Sequence, residues 1–192
     1  MSLFKNQIIV WDTETTGLPR DQWAAVVDLG AVLVDTSGEI VSEFECLVLP
    51  DILDERADFA LSISGLTPNV LRSEGLTVQG ALERVGIWRR AAVPDVPSYH
   101  TAFNVGFDKP MMYRMGIDFQ NWGPCIMKVA QAEMGRAGAL PQFSNGAYKF
   151  PKLSEASEFY GVPMEEPAHR ALADAKTAAR IMVVIQKRRM GA

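Results

Sequence analysis

Two cysteines and two histidines among 192 residues leave little scope for a disulfide framework or for a structural zinc site built from sulfur and imidazole. Cys46 and Cys125 lie far apart among apolar neighbours and read as buried thiols in a reducing compartment. Long apolar runs are missing as well. The richest stretches are broken by Asp28, Asp35 and Lys187, well short of the roughly 18 to 20 residues that span a bilayer. The opening Met1-Ser2-Leu3-Phe4-Lys5-Asn6 lacks a long apolar segment and a small-residue cleavage site, so a cytoplasmic location with no membrane partner is expected. Positive charge is not in excess: 19 Lys and Arg against 23 Asp and Glu give a net charge of −4. Composition therefore supplies no general attraction to polyanions, and any polyanion site has to be local or metal-mediated. Internal repeats and low-complexity tracts are also absent. What is plentiful is apolar side chain, 48% of the chain, enough for one sizeable core and too little length for two. One domain over residues 1–192 is expected.

The most informative segment runs from Ile8 to Gly17, where an apolar stretch that reads as a buried strand opens onto Asp12 and Glu14. Strand side chains alternate faces, so these two carboxylates point the same way, about 7 Å apart along the strand. Like charges at the mouth of an apolar strand are costly unless a cation or proton compensates them, and a divalent metal is the natural compensator. Thr15, Thr16 and Gly17 follow with hydroxyls and a turn that lets a ligand approach the backbone.

The remaining pattern is α/β. Residues 24–34 are rich in β-branched side chains, Asp35 to Glu39 is a turn, and Ile40 to Leu49 alternates around Phe44 and Cys46, which together predict an antiparallel meander. From Pro50 to Arg90 the signals turn helical: Gly65-Leu66-Thr67-Pro68 marks a helix start, and Val78, Leu82, Val85 and Trp88 fall near helical spacing, giving one or two helices. A fourth strand fits Val96 to Phe103, then a helix with Asp108, Pro110, Met111 and Met112, and another from Pro124 to Met134. Gly135 to Pro151 reads as a long loop, the best candidate for a mobile or substrate-facing element. Helices over Leu153–Tyr160 and His169–Arg189 close the chain.

In the last helix, a step of about 100° per residue places Asp174 beside Ile181 and Ile185 on the buried side, where a carboxylate needs a partner. His169, five residues earlier, would point about 140° away on a continuous helix, so it is expected in the loop or first turn after Pro167, facing the same site from another angle. Asp108, near a helix start, is explained sufficiently by capping alone. His100 reads as a strand residue near the sheet end, the methionines as core filler, and Arg89, Arg90 and Lys187 to Arg189 as solvated helix ends.

In conjunction these residues form an ordered set. Asp12-Thr13-Glu14-Thr15-Thr16-Gly17, Asn104-Val105-Gly106-Phe107-Asp108, and His169 through Asp174 with its spacing of five resemble the three motifs of the DEDDh 3′-to-5′ exonucleases, the family of the proofreading epsilon subunit of bacterial DNA polymerase III and of RNase T. Weaker echoes are Ile63 to Thr67 and Lys152 to Glu155 leading to Tyr160-Gly161. Phe103 departs from the pattern where many members carry a histidine, and Cys125 stands near where an aspartate often begins the next motif.

The resemblance implies a ribonuclease H-like α/β fold, a mixed five-stranded sheet flanked by helices, with the acidic site at the sheet edge. It implies metal-dependent removal of nucleotides from the 3′ end of single-stranded nucleic acid, most directly DNA, with release of nucleoside monophosphates. Two divalent ions, Mg²⁺ or Mn²⁺, would be held by Asp12, Glu14, Asp108 and Asp174, and hard oxygen ligands suit these ions. His169 would be the general base, since imidazole is the side chain that can be neutral near pH 7. Thr13, Thr15 and Leu18 would line the terminal nucleotide, Leu66 and Phe107 would pack against bases, and Asn104 would bond a phosphate or hold the loop beneath Asp108. For these contacts ordinary core packing is an equal alternative. Family members join a polymerase subunit or form homodimers. The rival readings are RNA trimming, a non-catalytic nucleic-acid or polymerase-binding module of the same fold, and an endonuclease of related fold.

Overall fold

The computed structural model describes residues 2–92 and 98–191. Its centre is a five-stranded sheet in the order β4-β3-β2-β1-β5. β1 (Gln7–Thr15), β2 (Val26–Val34) and β3 (Ile40–Leu49) form the expected antiparallel meander, with Ile8 opposite Val34 and Val32 opposite Glu43. β5 (Ser98–Ala102) pairs parallel to β1, Gln7 opposite Ser98 through Trp11 opposite Ala102. The first two residues expected in this strand, 96 and 97, lie outside the described residues. The fifth strand, which no sequence signal located, is the two-residue β4 (Leu76–Thr77), parallel to Val48 and Leu49 of β3.

Every residue of β2 is buried, as a strand covered on both faces must be. One face carries Ile9, Trp11, Leu29, Ala31, Leu33 and Phe44. Against it pack α3 (Val78–Ala92) and the methionine-rich side of α4 (Val105–Met115). The other face carries Val10, Val32 and Val34 under α5 (Ile126–Arg136), α6 (Leu153–Tyr160) and α7 (Ala171–Gly191). A third, smaller cluster joins Val27 to α1 (Asp58–Ser64) and α2 (Pro68–Glu74), the latter capped by Thr67, whose hydroxyl accepts from the Val70 amide.

Four expectations need correction. The segment from Pro50 to Arg90 holds three helices and a 3-10 turn (Glu55–Ala57) rather than one or two helices, because its stretches of seven residues are too short to show a helical period. The helix drawn from Pro124 starts at Ile126. Arg89 is not simply a solvated helix end, since its guanidinium lies 4.6 Å from the centre of the Phe119 ring. The long loop is partly folded back on itself: Gln142 bridges Tyr148, and Phe143 and Ala147 share a backbone hydrogen bond across the turn at Asn145-Gly146. Among the described residues, no helix is long and apolar enough to cross a membrane.

Candidate active site

β5 stops pairing with β1 at Trp11, so the last residues of β1 have one open backbone edge. The chain leaves β5 through Phe103 and turns into α4, with the Asn104 carbonyl accepting from the amides of Phe107 and Asp108. That turn sets Asp108 against the open edge of β1. Its Oδ1 accepts the Thr13 amide at 3.1 Å and the Thr13 hydroxyl at 2.9 Å. Asp108 is therefore more than a helix cap: it is buried, and it ties α4 to the acidic end of β1.

Asp12 and Glu14 alternate with buried Thr13 and Thr15, which places them on the Val10 face, toward α7. A register shift between Glu14 and Thr15 ends the regular pairing there. α7 brings Asp174 to the same place, on its buried side as its spacing predicts. His169 sits in the turn before α7 with φ 59°, a left-handed conformation uncommon for a residue with a side chain. One ligating atom each of Glu14, His169 and Asp174 lies within 4.8 Å of the others. Asp12 and Asp108 stand outside that tight group, yet they share its field: Asp108 raises the proton affinity of both Asp12 and Glu14, and Glu14 and Asp174 raise that of Asp12.

The electrostatics follow from crowding. Burial, then Asp108, Asp174 and Glu14, raise the Asp12 pKa well above the usual carboxylate value. Burial followed by Asp174, Asp28 and Asp108 pushes Glu14 to about 8, with Arg170 opposing. Burial takes Asp108 to about 7 against the two Thr13 hydrogen bonds, and burial raises Asp174 against the pull of His169. Asp174 Oδ1 is buried with no hydrogen-bond partner. A set of crowded hard oxygen donors, raised in proton affinity by burial and, at Asp12 and Glu14, by their neighbours' charge, is suited to bind divalent cations that relieve that repulsion.

The softer site residues are placed less uniformly. Leu18 is exposed and Phe107 half-buried against the α3/α4 core, while Leu66 is buried in the small third cluster. The Thr15 hydroxyl donates to the Gly17 carbonyl at 2.7 Å, and Asn104 is half-buried at the head of α4. His100 is buried in β5, where its Nδ1 accepts from Trp11 Nε1 at 3.0 Å and its ring stacks on Phe119. Three residues escaped the sequence reading. Asp28 of β2 stands opposite Glu14 and bonds Arg170, and Gly30 lies beneath the start of α7. A charge inside a wholly apolar run, two residues before a glycine, was the available signal.

Residues 9–182 match the exonuclease family RNase T. No curated protein matches the sequence. Solved structures that share its fold include cell-death related nuclease 4 (CRN-4), with a TM-score of 0.74 at 18% identity over 97% of this chain and 65% of that one. E. coli Exonuclease I in complex with a dA16 oligonucleotide gives 0.74 at 20% identity over 97% of this chain and 42% of that one. A 3′-exonuclease that recognises the histone mRNA stem-loop gives 0.71 at 20% identity over 95% and 64%. The chain thus spans less than two thirds of the length of each. These likenesses establish a ribonuclease H-like α/β fold.

Proposed function

The chain belongs to the RNase T exonuclease family, and we propose that it hydrolyses the terminal phosphodiester of single-stranded nucleic acid from the 3′ end, with DNA as the substrate, as one exonuclease domain over residues 1–192. The observation that carries this reading is the meeting of Glu14, His169 and Asp174 within 4.8 Å, beside Asp12 and Asp108, on three elements distant in sequence. A module that only bound nucleic acid would gain nothing from clustered carboxylates facing phosphates.

The donor set fits Mg²⁺ or Mn²⁺, because it is all carboxylate oxygen with one imidazole and its members are destabilised by one another's charge. Asp12, Glu14, Asp108 and Asp174 would hold two such ions. When bound, the ions would supply Lewis-acid stabilisation of the charge that develops on a phosphodiester during hydrolysis. His169, exposed and free of the helix, would take the proton from the attacking water. Thr13 fixes Asp108 through both its amide and its hydroxyl, so substitution there disturbs the site. Leu18 offers an exposed apolar contact for the terminal nucleotide, and Thr13, Thr15, Asn104, Leu66 and Phe107 would supply the remaining substrate contacts.

The test is a gel of 5′-labelled DNA and RNA oligonucleotides incubated with Mg²⁺, with EDTA, and with Asp12→Ala. The expected result is a DNA ladder shortening from the 3′ end that chelator and variant both abolish. Shortening of RNA alone would replace DNA by RNA as the substrate. Intact DNA and RNA together, with retained binding, would favour a non-catalytic module.

A further inference from the structure

Building on the exonuclease reading, we propose that Asp28 is a positioning residue: through Arg170 and the Ala171 amide, it fixes the angle at which the start of α7 presents His169 and Asp174 to the site. The Asp28 side chain is 2% exposed and stands on β2 opposite Glu14. Its Oδ2 accepts Arg170 Nε at 2.7 Å and the Ala171 amide at 3.3 Å. The first amides of a helix lack partners within it, and here a carboxylate from the sheet supplies one. The anchor falls between the two residues it serves. His169 immediately precedes Arg170, and Asp174 follows one turn later, its amide bonded to the Arg170 carbonyl at 3.0 Å.

Two further features show that this end of α7 is set by contact rather than by chance. At Gly30, two residues along β2, an added Cβ would lie 2.3 Å from the Ala171 carbonyl carbon and the Leu172 amide nitrogen. The backbone of α7 therefore rests directly on the backbone of β2, with no side chain between them to give. His169 holds φ 59°, a conformation that a non-glycine residue keeps only when its flanks are fixed, and Arg170 is one of those flanks.

The alternative role for Asp28 is that of a fifth ligand, because its Oδ1 is buried without a partner. The two roles separate on Arg170. The experiment measures Mn²⁺ affinity by titration calorimetry, and kcat and KM on a 5′-labelled oligonucleotide, for the full chain and for Arg170→Ala, Arg170→Lys, Asp28→Asn, His169→Ala and Arg170→Ala/His169→Ala. Arg170 is partly exposed, so its replacement keeps the test open if Asp28 variants do not fold. Positioning predicts that Arg170→Ala weakens Mn²⁺ binding and kcat by about 10- to 100-fold, the usual cost of removing an outer support. KM should stay within about twofold, Arg170→Lys should recover part of the loss, and Arg170→Ala should cost clearly less kcat in the His169→Ala background than in the wild type, the remainder passing through Asp174. A folded Arg170→Ala with unchanged Mn²⁺ affinity and kcat overturns the proposal, as does full additivity with His169→Ala. Loss of Mn²⁺ binding in Asp28→Asn alone would make Asp28 a ligand and also overturn it. If the wild type binds Mn²⁺ but degrades no oligonucleotide, the exonuclease reading fails while the calorimetric arm still decides this one.

Discussion

Between pH 6.5 and 8 the metal-free protein should lose stability as protons leave the acidic site. Glu14 is raised from 4.5 to about 8, first by burial and then by Asp174, Asp28 and Asp108. A raised folded pKa means that the native state holds a proton the unfolded chain has already released. The stability this brings is complete below 4.5 and is lost as pH rises to 8. His100 works in the opposite sense: burial lowers it from 6.5 to about 3, so protonation of the unfolded chain erodes stability as pH falls below 6.5. Above pH 6.5 that effect is over and the carboxylates stand alone, with Asp108 at about 7 acting in the same direction as Glu14. From 6.5 to 8, at ~1.4 kcal/mol per pKa unit, Glu14 contributes about 2 kcal/mol. Water on the open side of the cleft makes this an upper bound. For a chain of this size that is a fall of about 4 to 8 °C in melting temperature. The assay is thermal melting in EDTA and in millimolar Mg²⁺ across this pH range. The fall should appear in EDTA, shrink in Mg²⁺, and diminish in Glu14→Gln to the part that Asp108 and Asp12 contribute. An equal fall with and without Mg²⁺, or a flat profile in EDTA, would refute the electrostatic account of the site.

Three further outcomes are expected. His169→Asn tolerates the left-handed backbone and removes the imidazole, so kcat should drop by about 10²- to 10⁴-fold with little change in melting temperature. Gly30→Ala drives a methyl into the backbone of α7 and should cost about 3 kcal/mol or more in urea unfolding, beyond ordinary overpacking, because no flexible side chain can yield. Thr13→Val keeps the amide bond to Asp108 and loses the hydroxyl bond; a loss of about 1 kcal/mol in chemical denaturation, with reduced Mn²⁺ affinity, is the expected result.

Sequence pattern was most legible where one element carries its own period. β3 and α6 have the bounds that alternation and the Leu153 to Tyr160 spacing predict, and the buried side of α7 follows from its apolar positions. The motif residues Glu14, His169 and Asp174 were expected together and lie together, and the His-to-Asp spacing correctly put His169 outside the helix. What escaped depends on contacts between remote segments. β4 is a strand only because Leu76 and Thr77 meet Val48 and Leu49, and two residues carry no period. Asp28 looks like an interruption in an apolar strand until Arg170, 142 positions away in sequence, supplies its partner. The two hydrogen bonds from Thr13 to Asp108 arise from where β5 ends, which no local pattern encodes.

The most direct measurement of the central claim is anomalous diffraction from crystals soaked in Mn²⁺ with a nucleoside monophosphate. Two anomalous peaks ligated by Asp12, Glu14, Asp108 and Asp174, with His169 facing the phosphate, are the predicted result. Crystals that bind the nucleotide elsewhere, or that show no manganese among these carboxylates, would contradict it.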